Sequence, residues 1–207
     1  MKKDIFGQVL LHIEGREQTI VRDAAAAPWW ARWLARRLLA REARALAALD
    51  GLDGVPRLLR AGRDTLTRSF MGGLPMQQAR PRDLGYFKRA ARLLRQLHRA
   101  GVVHNDLAKE PNWLVTPQFE PAIVDFQLAW YTPRRGALFR LLAREDLRHL
   151  LKHKRTYCSA HLSLRERAIL RNPSLLSRAW MATGKPVYLL ITRRLLGWSD
   201  REGAGDR

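Results

Sequence analysis

Three side chains that can supply a base or metal-binding oxygens lie within a short stretch of the chain: Asp106, Asn112 and Asp125. A carboxylate such as that of Asp106 can orient a hydroxyl group and accept its proton. Hard cations such as Mg²⁺ prefer carboxylate oxygen, amide oxygen and water as ligands. Asp125 carries a carboxylate oxygen and Asn112 an amide oxygen. Phosphoryl transfer requires such groups, because it depends on positioning and on neutralising charge.

Short apolar segments on either side of these residues are expected to position them. Val102-Val103 leads into the loop that holds Asp106, and Trp113-Leu114-Val115 leads out of it. Ile123-Val124 then delivers Asp125. Short apolar runs around a polar loop are typical of a hairpin, which predicts that both acids lie on one edge of a cleft. The alternative is a buried hairpin with a structural role only.

The order of these residues resembles a known set of motifs. His104-Asn105-Asp106, Asn112 and Asp125-Phe126-Gln127 are similar to the HRDxxxxN and DFG motifs of protein kinases. The two acids are 125 − 106 = 19 residues apart, close to the kinase spacing. A lone dipeptide would be weak evidence, whereas the ordered combination between apolar strands is specific.

Over residues 5–154 the chain resembles the atypical bacterial protein-kinase-like family related to RIO-type kinases and to lipopolysaccharide-core (Kdo-type) sugar kinases. The resemblance implies that Asp106 is the catalytic base, that Asn112 and Asp125 bind Mg²⁺, and that ATP is the phosphoryl donor. A basic helical segment follows Asp125 almost directly, so the resemblance implies a minimal activation segment.

The loop after Asp106 departs from the kinase pattern. Asn112 follows Asp106 by 112 − 106 = 6 positions instead of five, which predicts a bulge at Glu110-Pro111, where proline restricts the backbone. Ala108 stands where many kinases have lysine. Lys109, next to it, is either a ligand of the γ-phosphate with a catalytic role or a solvated loop lysine.

Two replacements bear on regulation. Asn105 stands in place of the arginine that commonly contacts a phosphorylated activation loop, which argues against that form of control. Gln127 replaces the glycine of the DFG motif. A side chain at that position should restrict flipping between active and inactive backbones.

The resemblance extends less specifically to the first part of the chain. Gly7 and Val9 match the end of the glycine loop that covers a nucleotide, but the earlier glycines are absent. Arg22 stands where kinases carry the phosphate-binding lysine, and Glu42 is its expected ion-pair partner. The alternatives are a solvent-facing strand residue for Arg22 and an ordinary surface acid for Glu42.

These elements predict an α+β, bilobal, protein-kinase-like fold. Residues 1–74 form a small β-rich N-lobe of strands plus one helix, ending at the glycine pair Gly72-Gly73. Residues 75–207 form a mainly helical C-lobe with the catalytic loop, the DFQ motif and a basic helical tail. In that tail, residues 187–196 are expected to form an amphipathic helix that caps the lobe or touches a membrane.

Charge is the unusual property of the composition. Lys and Arg number 38 against 19 Asp and Glu, a formal net charge of +19. Such a surface attracts polyanions such as RNA, anionic lipid or phosphorylated sugar, or it reflects solubility in an arginine-rich proteome. Cys158 is the single cysteine, and long apolar runs are missing. We therefore expect a cytoplasmic protein, and peripheral attachment to the inner membrane is compatible with that expectation.

Two clusters admit alternative interpretations. Trp29, Trp30 and Trp33 lie among arginines on a helix that is predicted to begin near Pro28. This helix either lies on an anionic membrane or packs its Trp and Leu face on the N-lobe. The pattern favours packing on the N-lobe. His149 and His153, with Cys158 and His161 beyond them, form either a zinc site or a basic helix face. Their spacing matches no compact zinc motif and favours the basic face.

The sequence leaves two functions open. The first is an ATP-dependent kinase that phosphorylates a hydroxyl of a protein serine or threonine or of a lipopolysaccharide-type, lipid-linked sugar. The second is a pseudokinase that binds RNA, a ribosome or a membrane through its basic face. The intact Asp106, Asn112 and Asp125 favour the first, and the altered glycine loop, Arg22 and the longer catalytic loop favour the second.

Overall fold

A computed structural model describes residues 2–15 and 17–171, and its first part is built on an antiparallel sheet while its second part is mainly helical. The predicted α+β arrangement is therefore confirmed. The strands are β1 (Lys2–Asp4), β2 (Gly7–Glu14), β3 (Glu17–Asp23), β4 (Leu58–Ala61), β5 (Thr65–Ser69), β6 (Leu74–Pro75), β7 (Val102–Val103), β8 (Trp113–Val115), β9 (Pro121–Ile123) and β10 (Trp130–Tyr131). The helices are α1 (Arg32–Ala48), α2 (Met76–Ala79), α3 (Leu84–Arg99), α4 (Ala137–Tyr157) and α5 (Leu164–Arg171).

The N-lobe sheet has the order β1-β2-β3-β5-β4, with antiparallel pairing throughout. Only Ile5 and Phe6 separate β1 from β2, so the connection is a two-residue hairpin turn. Gly7 follows that turn with φ +120°, and a Cβ there would lie 2.1 Å from the carbonyl oxygen of Asp23. Glycine is needed because the backbones of β2 and β3 approach too closely for any side chain.

Helix α1 packs on this sheet through small and aliphatic side chains, among them Ala35 and Leu39. It begins at Arg32, later than the predicted start at Pro28, because Pro28 to Ala31 form a turn in which the amides of Ala31 and Arg32 both bond the Pro28 carbonyl. The alanines on the inner face bring the helix close to the sheet.

The three tryptophans at the start of α1 lie on the outside, so the favoured interpretation, in which they pack on the N-lobe, is wrong. Trp29 is 84% exposed, Trp30 52% and Trp33 60%. The physical reason is space: Ala31 and Ala35 occupy the buried side of the helix, where an indole ring does not fit.

The C-lobe has its core around α3, an amphipathic helix that begins at Asp83, whose carboxylate accepts from the amide of Tyr86 at 2.8 Å. The buried face of α3 packs on the short strands and on α4. Its largest fully buried partners include Trp113 and Phe126, which flank the predicted catalytic loop and metal motif. The core thus surrounds the segment that holds the predicted site.

Strands β6, β8 and β9 form one small sheet, and β7 pairs with β10 in another. The predicted lobe boundary between residues 74 and 75 falls inside β6, which pairs with β8 of the C-lobe; the boundary itself stays a prediction. A 3₁₀ turn (Phe126–Leu128), Ala129, β10 and residues 132–136 are all that separate Asp125 from α4. No helix within the described residues is long and apolar enough to cross a bilayer. The amphipathic helix predicted for 187–196 lies outside the described residues.

Candidate functional site

The backbone of the catalytic loop is bound to helix α4 by a single carboxylate. Asp146 accepts the amide of His104 at 2.8 Å and the amide of Asn105 at 3.0 Å, one on each oxygen. The ring of His98, on α3, lies 3.3 Å from the same carboxylate. Because Asp146 is almost fully buried, these bonds are shielded from water and fix the start of the loop.

The imidazole of His104 ties the catalytic loop to the strand that ends before Asp125. Its Nδ1 accepts the amide of Asp106 at 3.3 Å, so Nε2 carries the proton and donates to the carbonyl of Val124 at 3.0 Å. The ring also packs edge-on against Phe126. Burial lowers the pKa of His104, which keeps the ring neutral. The ring therefore acts as a structural hydrogen-bonding group.

The carboxylate of Asp106 is contacted by two side chains of its own loop. The Lys109 ammonium lies 3.0 Å from Oδ2, and the Asn112 amide nitrogen donates to the same oxygen at 3.1 Å. Asn112 also donates to the backbone carbonyl of Asp106 at 2.9 Å. A 3₁₀ turn spans Glu110–Asn112, where the extra loop residue was predicted to cause a bulge. That turn brings Asn112 back to Asp106 despite the longer spacing.

Asp125 lies at the other side of the candidate site and has an unusual backbone. Its φ of +66° is in the left-handed region, which is uncommon for residues other than glycine, although asparagine and aspartate adopt it more often than most. Its Oδ1 accepts from the side-chain amide of Gln127 at 2.9 Å and lies 3.7 Å from Arg22. The carboxylate is about one-third exposed, so it can reach a ligand in the cleft. The glutamine that replaces the usual glycine thus orients the acid.

The predicted ion pair between Arg22 and Glu42 is present, with Nη1 and Oε2 2.9 Å apart. Arg68 on β5 approaches the other oxygen of Glu42 at 3.2 Å. Burial raises the pKa of Glu42, while the two guanidinium groups oppose that shift. Since arginine stays charged, two cations around one buried carboxylate leave positive charge directed at Asp125. Arg22 and Glu42 are thus not the surface residues of the alternative interpretation.

Gly7 and Val9 line a small cavity together with Arg22 and Gln127. The cavity has a volume of about 10 Å³, enough for one water molecule. Gly7 itself is explained by the close approach to Asp23 described above. Contact of Gly7 and Val9 with a nucleotide stays a prediction.

Three residues of this site were missed by sequence reasoning, namely Asp146, Arg68 and Arg41, and His153 was assigned a different role. Asp146 carried a signal, because it shares one face of a basic helix with buried residues such as Leu150 and His153 at helical spacing. Arg41 donates to the carbonyls of Leu128 and Ala129 at 3.0 and 3.2 Å, so it ties α1 to the segment after Asp125. A helical arginine with this role looks like any surface arginine in a sequence.

The His149, His153 and Cys158 cluster does not gather into a zinc site. The His153 ring bonds the carbonyl of Leu107 at 2.8 Å, and the Cys158 thiol donates to the carbonyl of Arg82. Within residues 2–15 and 17–171, no group of three or more His, Cys, Asp and Glu is placed to hold a metal. The favoured basic-face interpretation is also wrong for His153, which is buried because it supports the catalytic loop.

The donor set in the cleft fits Mg²⁺ better than zinc. Asp125 offers a carboxylate and Asn112 an amide oxygen, both hard ligands. Asn112 uses its nitrogen for Asp106, so its oxygen is the atom available to a cation. These residues could hold the ion, and the guanidinium of Arg22 could neutralise a phosphate beside it.

Comparisons with known proteins support the fold. No protein-family model and no curated protein matches the chain. Among solved structures, the Rio2 kinase from Chaetomium thermophilum superposes with a TM-score of 0.58 at 16% sequence identity, covering 92% of this chain and 70% of that one. The chain therefore has a protein-kinase-like fold of the kind seen in that kinase.

Proposed function

We propose that this chain is an ATP- and Mg²⁺-dependent kinase that transfers the γ-phosphoryl group to a hydroxyl. The observation that supports the proposal best is the loop in which Asn112 bonds both the backbone and the carboxylate of Asp106, while Asp146 fixes the loop start. This arrangement holds the Asp106 carboxylate and the Asn112 amide together on a loop that His104 ties to Val124, the residue before Asp125. A hairpin with a structural role only would not need all three polar groups.

Each residue would have a distinct role in that reaction. Asp106 would orient the acceptor hydroxyl and take its proton. Asp125 and Asn112 would hold Mg²⁺, which when bound neutralises phosphate charge. Arg22, fixed by Glu42, would contact the phosphates in place of the usual lysine. Lys109 lies 3.0 Å from Asp106 and would stabilise negative charge on the transferred group.

The proposed acceptor is a hydroxyl of a protein serine or threonine or of a lipopolysaccharide-type, lipid-linked sugar. Both present a neutral hydroxyl that a carboxylate can orient. The net charge of +19 favours an acceptor that carries phosphate or other anionic groups. Assays with a phosphorylated sugar acceptor and with a protein acceptor in parallel separate the two classes.

A pseudokinase is the second candidate, and a specific observation favours it. The turn between β1 and β2 has only two residues, Ile5 and Phe6, and Gly7 is the one glycine that remains of a glycine-rich loop there. In that case the fold would serve as a basic module that binds RNA, a ribosome or a membrane, with Asp106 held by Lys109 as a structural ion pair.

The test is ATP binding and turnover by the wild type, Asp106→Ala and Asp125→Asn in the presence of Mg²⁺. We expect Asp106→Ala to lower turnover by about 10²–10⁴-fold with nucleotide binding retained, because it removes the base while Asn112 keeps its bond to the backbone carbonyl of residue 106. Asp125→Asn should weaken Mg²⁺-dependent nucleotide binding as well. Asp64→Asn, on the N-lobe surface, is the control and should leave both unchanged. A wild type that neither binds nor turns over ATP would favour the pseudokinase.

A further inference from the structure

Three tryptophans form an exposed cluster at the start of α1, which we call the tryptophan patch: Trp29, Trp30 and Trp33, with Leu34 beside them. Their exposed fractions are 84%, 52% and 60%, and Leu34 is 36% exposed. Soluble proteins seldom leave several large apolar side chains exposed together unless the surface binds something. Six consecutive residues thus place three indole rings in solvent.

The local structure holds the indoles outward. Ala31 and Ala35 occupy the buried side of α1, and Pro28 begins the turn that carries Trp29 and Trp30. Trp33 has the guanidinium of Arg37 5.9 Å from its ring centroid. The rings therefore have no place in the core beneath them, and their exposure follows from the packing of the helix on the sheet.

Positive charge surrounds the tryptophan patch. Arg32, Arg36, Arg37 and Arg63 lie in or beside it, and Asp64, which pairs with Arg36, is the acid among them. Four cations and one anion leave 4 − 1 = +3 at this surface. The hydrogen bond from Arg36, with the charges of Arg63 and Arg32, lowers the pKa of the Asp64 carboxyl.

We propose that the tryptophan patch docks the protein on a bilayer that contains anionic lipid headgroups. Indole rings favour the boundary between headgroups and acyl chains, where their apolar body and their N–H group are both satisfied. Arginines around them contact lipid phosphates. The combination of protruding apolar rings and a cationic rim is the chemistry that such a surface recognises.

Two other occupants fit the observations less well. Residues 172–207 hold six basic and three acidic side chains, a net 6 − 3 = +3, so they are repelled by a patch of the same sign. Single-stranded nucleic acid stacks on aromatic rings along a basic groove. Trp29, 84% exposed, stands out from the surface instead of lining a groove.

The docking surface is separate from the candidate site and does not depend on its activity. Ala35 and Leu39, on the buried side of α1, line the small cavity beside Arg22 and Gln127, whereas the tryptophans face solvent. Docking itself needs no nucleotide, so it can be tested whether or not the chain is a kinase.

The experiment is sedimentation of the full chain with vesicles of phosphatidylcholine, with and without phosphatidylglycerol. The tryptophan-patch variant replaces Trp29, Trp30 and Trp33 by alanine. We expect the wild type to bind the anionic vesicles and the variant to bind at least about tenfold more weakly, because each ring withdraws apolar area from water. Lipids brominated on the acyl chain should quench tryptophan fluorescence in the wild type and much less in the variant.

A matched control comes from leucines outside the patch with similar exposure. Leu59, Leu138 and Leu164 are 52%, 55% and 85% exposed, and their triple alanine variant should bind vesicles like the wild type. Circular dichroism and thermal unfolding should show that both variants fold.

Two results would overturn the proposal. One is a wild type that binds neither kind of vesicle. The other is a tryptophan-patch variant that binds anionic vesicles as well as the wild type, because residues 172–207 or diffuse charge would then account for binding. If that same variant also loses affinity for single-stranded RNA, nucleic acid is the occupant of the patch.

Discussion

Replacing Asp146 by asparagine should loosen the catalytic loop without removing any group from the cleft. The carboxylate is 1% exposed and uses both oxygens for the amides of His104 and Asn105, at 2.8 and 3.0 Å. An asparagine side chain has one oxygen. One of the two amides would therefore face the new NH₂ group and lose its acceptor, in a place that water does not reach.

The magnitude follows from the number of bonds. A hydrogen bond to a charged group contributes about 1.5–3 kcal/mol, and a buried amide without an acceptor costs about 1–3 kcal/mol. Since one bond can persist, we expect the free energy of unfolding to fall by about 2–4 kcal/mol. Native domains have about 5–15 kcal/mol in total, so the variant should fold at 25 °C with a clearly lower melting temperature.

Denaturant unfolding of wild type, Asp146→Asn and Glu145→Gln measures this loss. Glu145 is adjacent on α4 and pairs with Arg148 at 3.6 Å, so its substitution removes a carboxylate charge without touching the loop. If the chain is a kinase, Asp146→Asn should also lower kcat by about 10²-fold, because the loop is misplaced, with little change in KM for ATP.

Two outcomes would refute the assignment of Asp146 as the residue that fixes the loop. One is an unfolding free energy within about 0.5 kcal/mol of that of Glu145→Gln. The other is hydrogen exchange at the amides of His104 and Asn105 that is as slow in the variant as in the wild type, since these two amides should become less protected.

Two further predictions concern stability. Burial lowers the pKa of His149 from 6.5 to about 4 and also lowers the pKa of His104. Below pH 6.5 the unfolded chain therefore binds more protons than the folded chain, and the free energy of unfolding should decrease as the pH is lowered. In urea unfolding at a series of pH values, His149→Gln should reduce the slope of unfolding free energy against pH by up to about 1.4 kcal/mol per pH unit. Gly7→Ala should destabilise more than Gly15→Ala, which keeps a left-handed φ of +61° but meets no atom within 4 Å. We expect about 1 kcal/mol for Gly15→Ala and at least 2 kcal/mol for Gly7→Ala by thermal unfolding, and equal losses would contradict the close approach to β3.

Local patterns in the sequence were sufficient for much of the candidate site. The strand-loop-strand pattern around Asp106 and Asp125 predicted the loop, whereas the ion pair of Arg22 and Glu42 was implied by the resemblance to protein kinases. The loop lies between short strands that are close in sequence. Such arrangements leave a periodic trace that sequence reasoning can use.

Long-range contacts left weaker traces. Asp146 meets the loop from about 40 residues away, and Arg68 reaches Glu42 from another strand. The residues next to Asp146 and Arg68 in the sequence do not indicate which distant group each of them binds. The tryptophans at the start of α1 were misplaced for a related reason: periodicity shows that a helix has an apolar side, but the alanines decide which side fits the sheet.

The two bonds from Arg41 have a consequence for control. If each contributes about 1 kcal/mol and the ion pair of Glu42 adds a similar amount, swinging α1 away from the segment after Asp125 costs about 3 kcal/mol. At 25 °C that leaves fewer than about 1% of molecules in the swung state. An effector that switches this helix would therefore have to bind the swung state more than about 100-fold more tightly than the resting state.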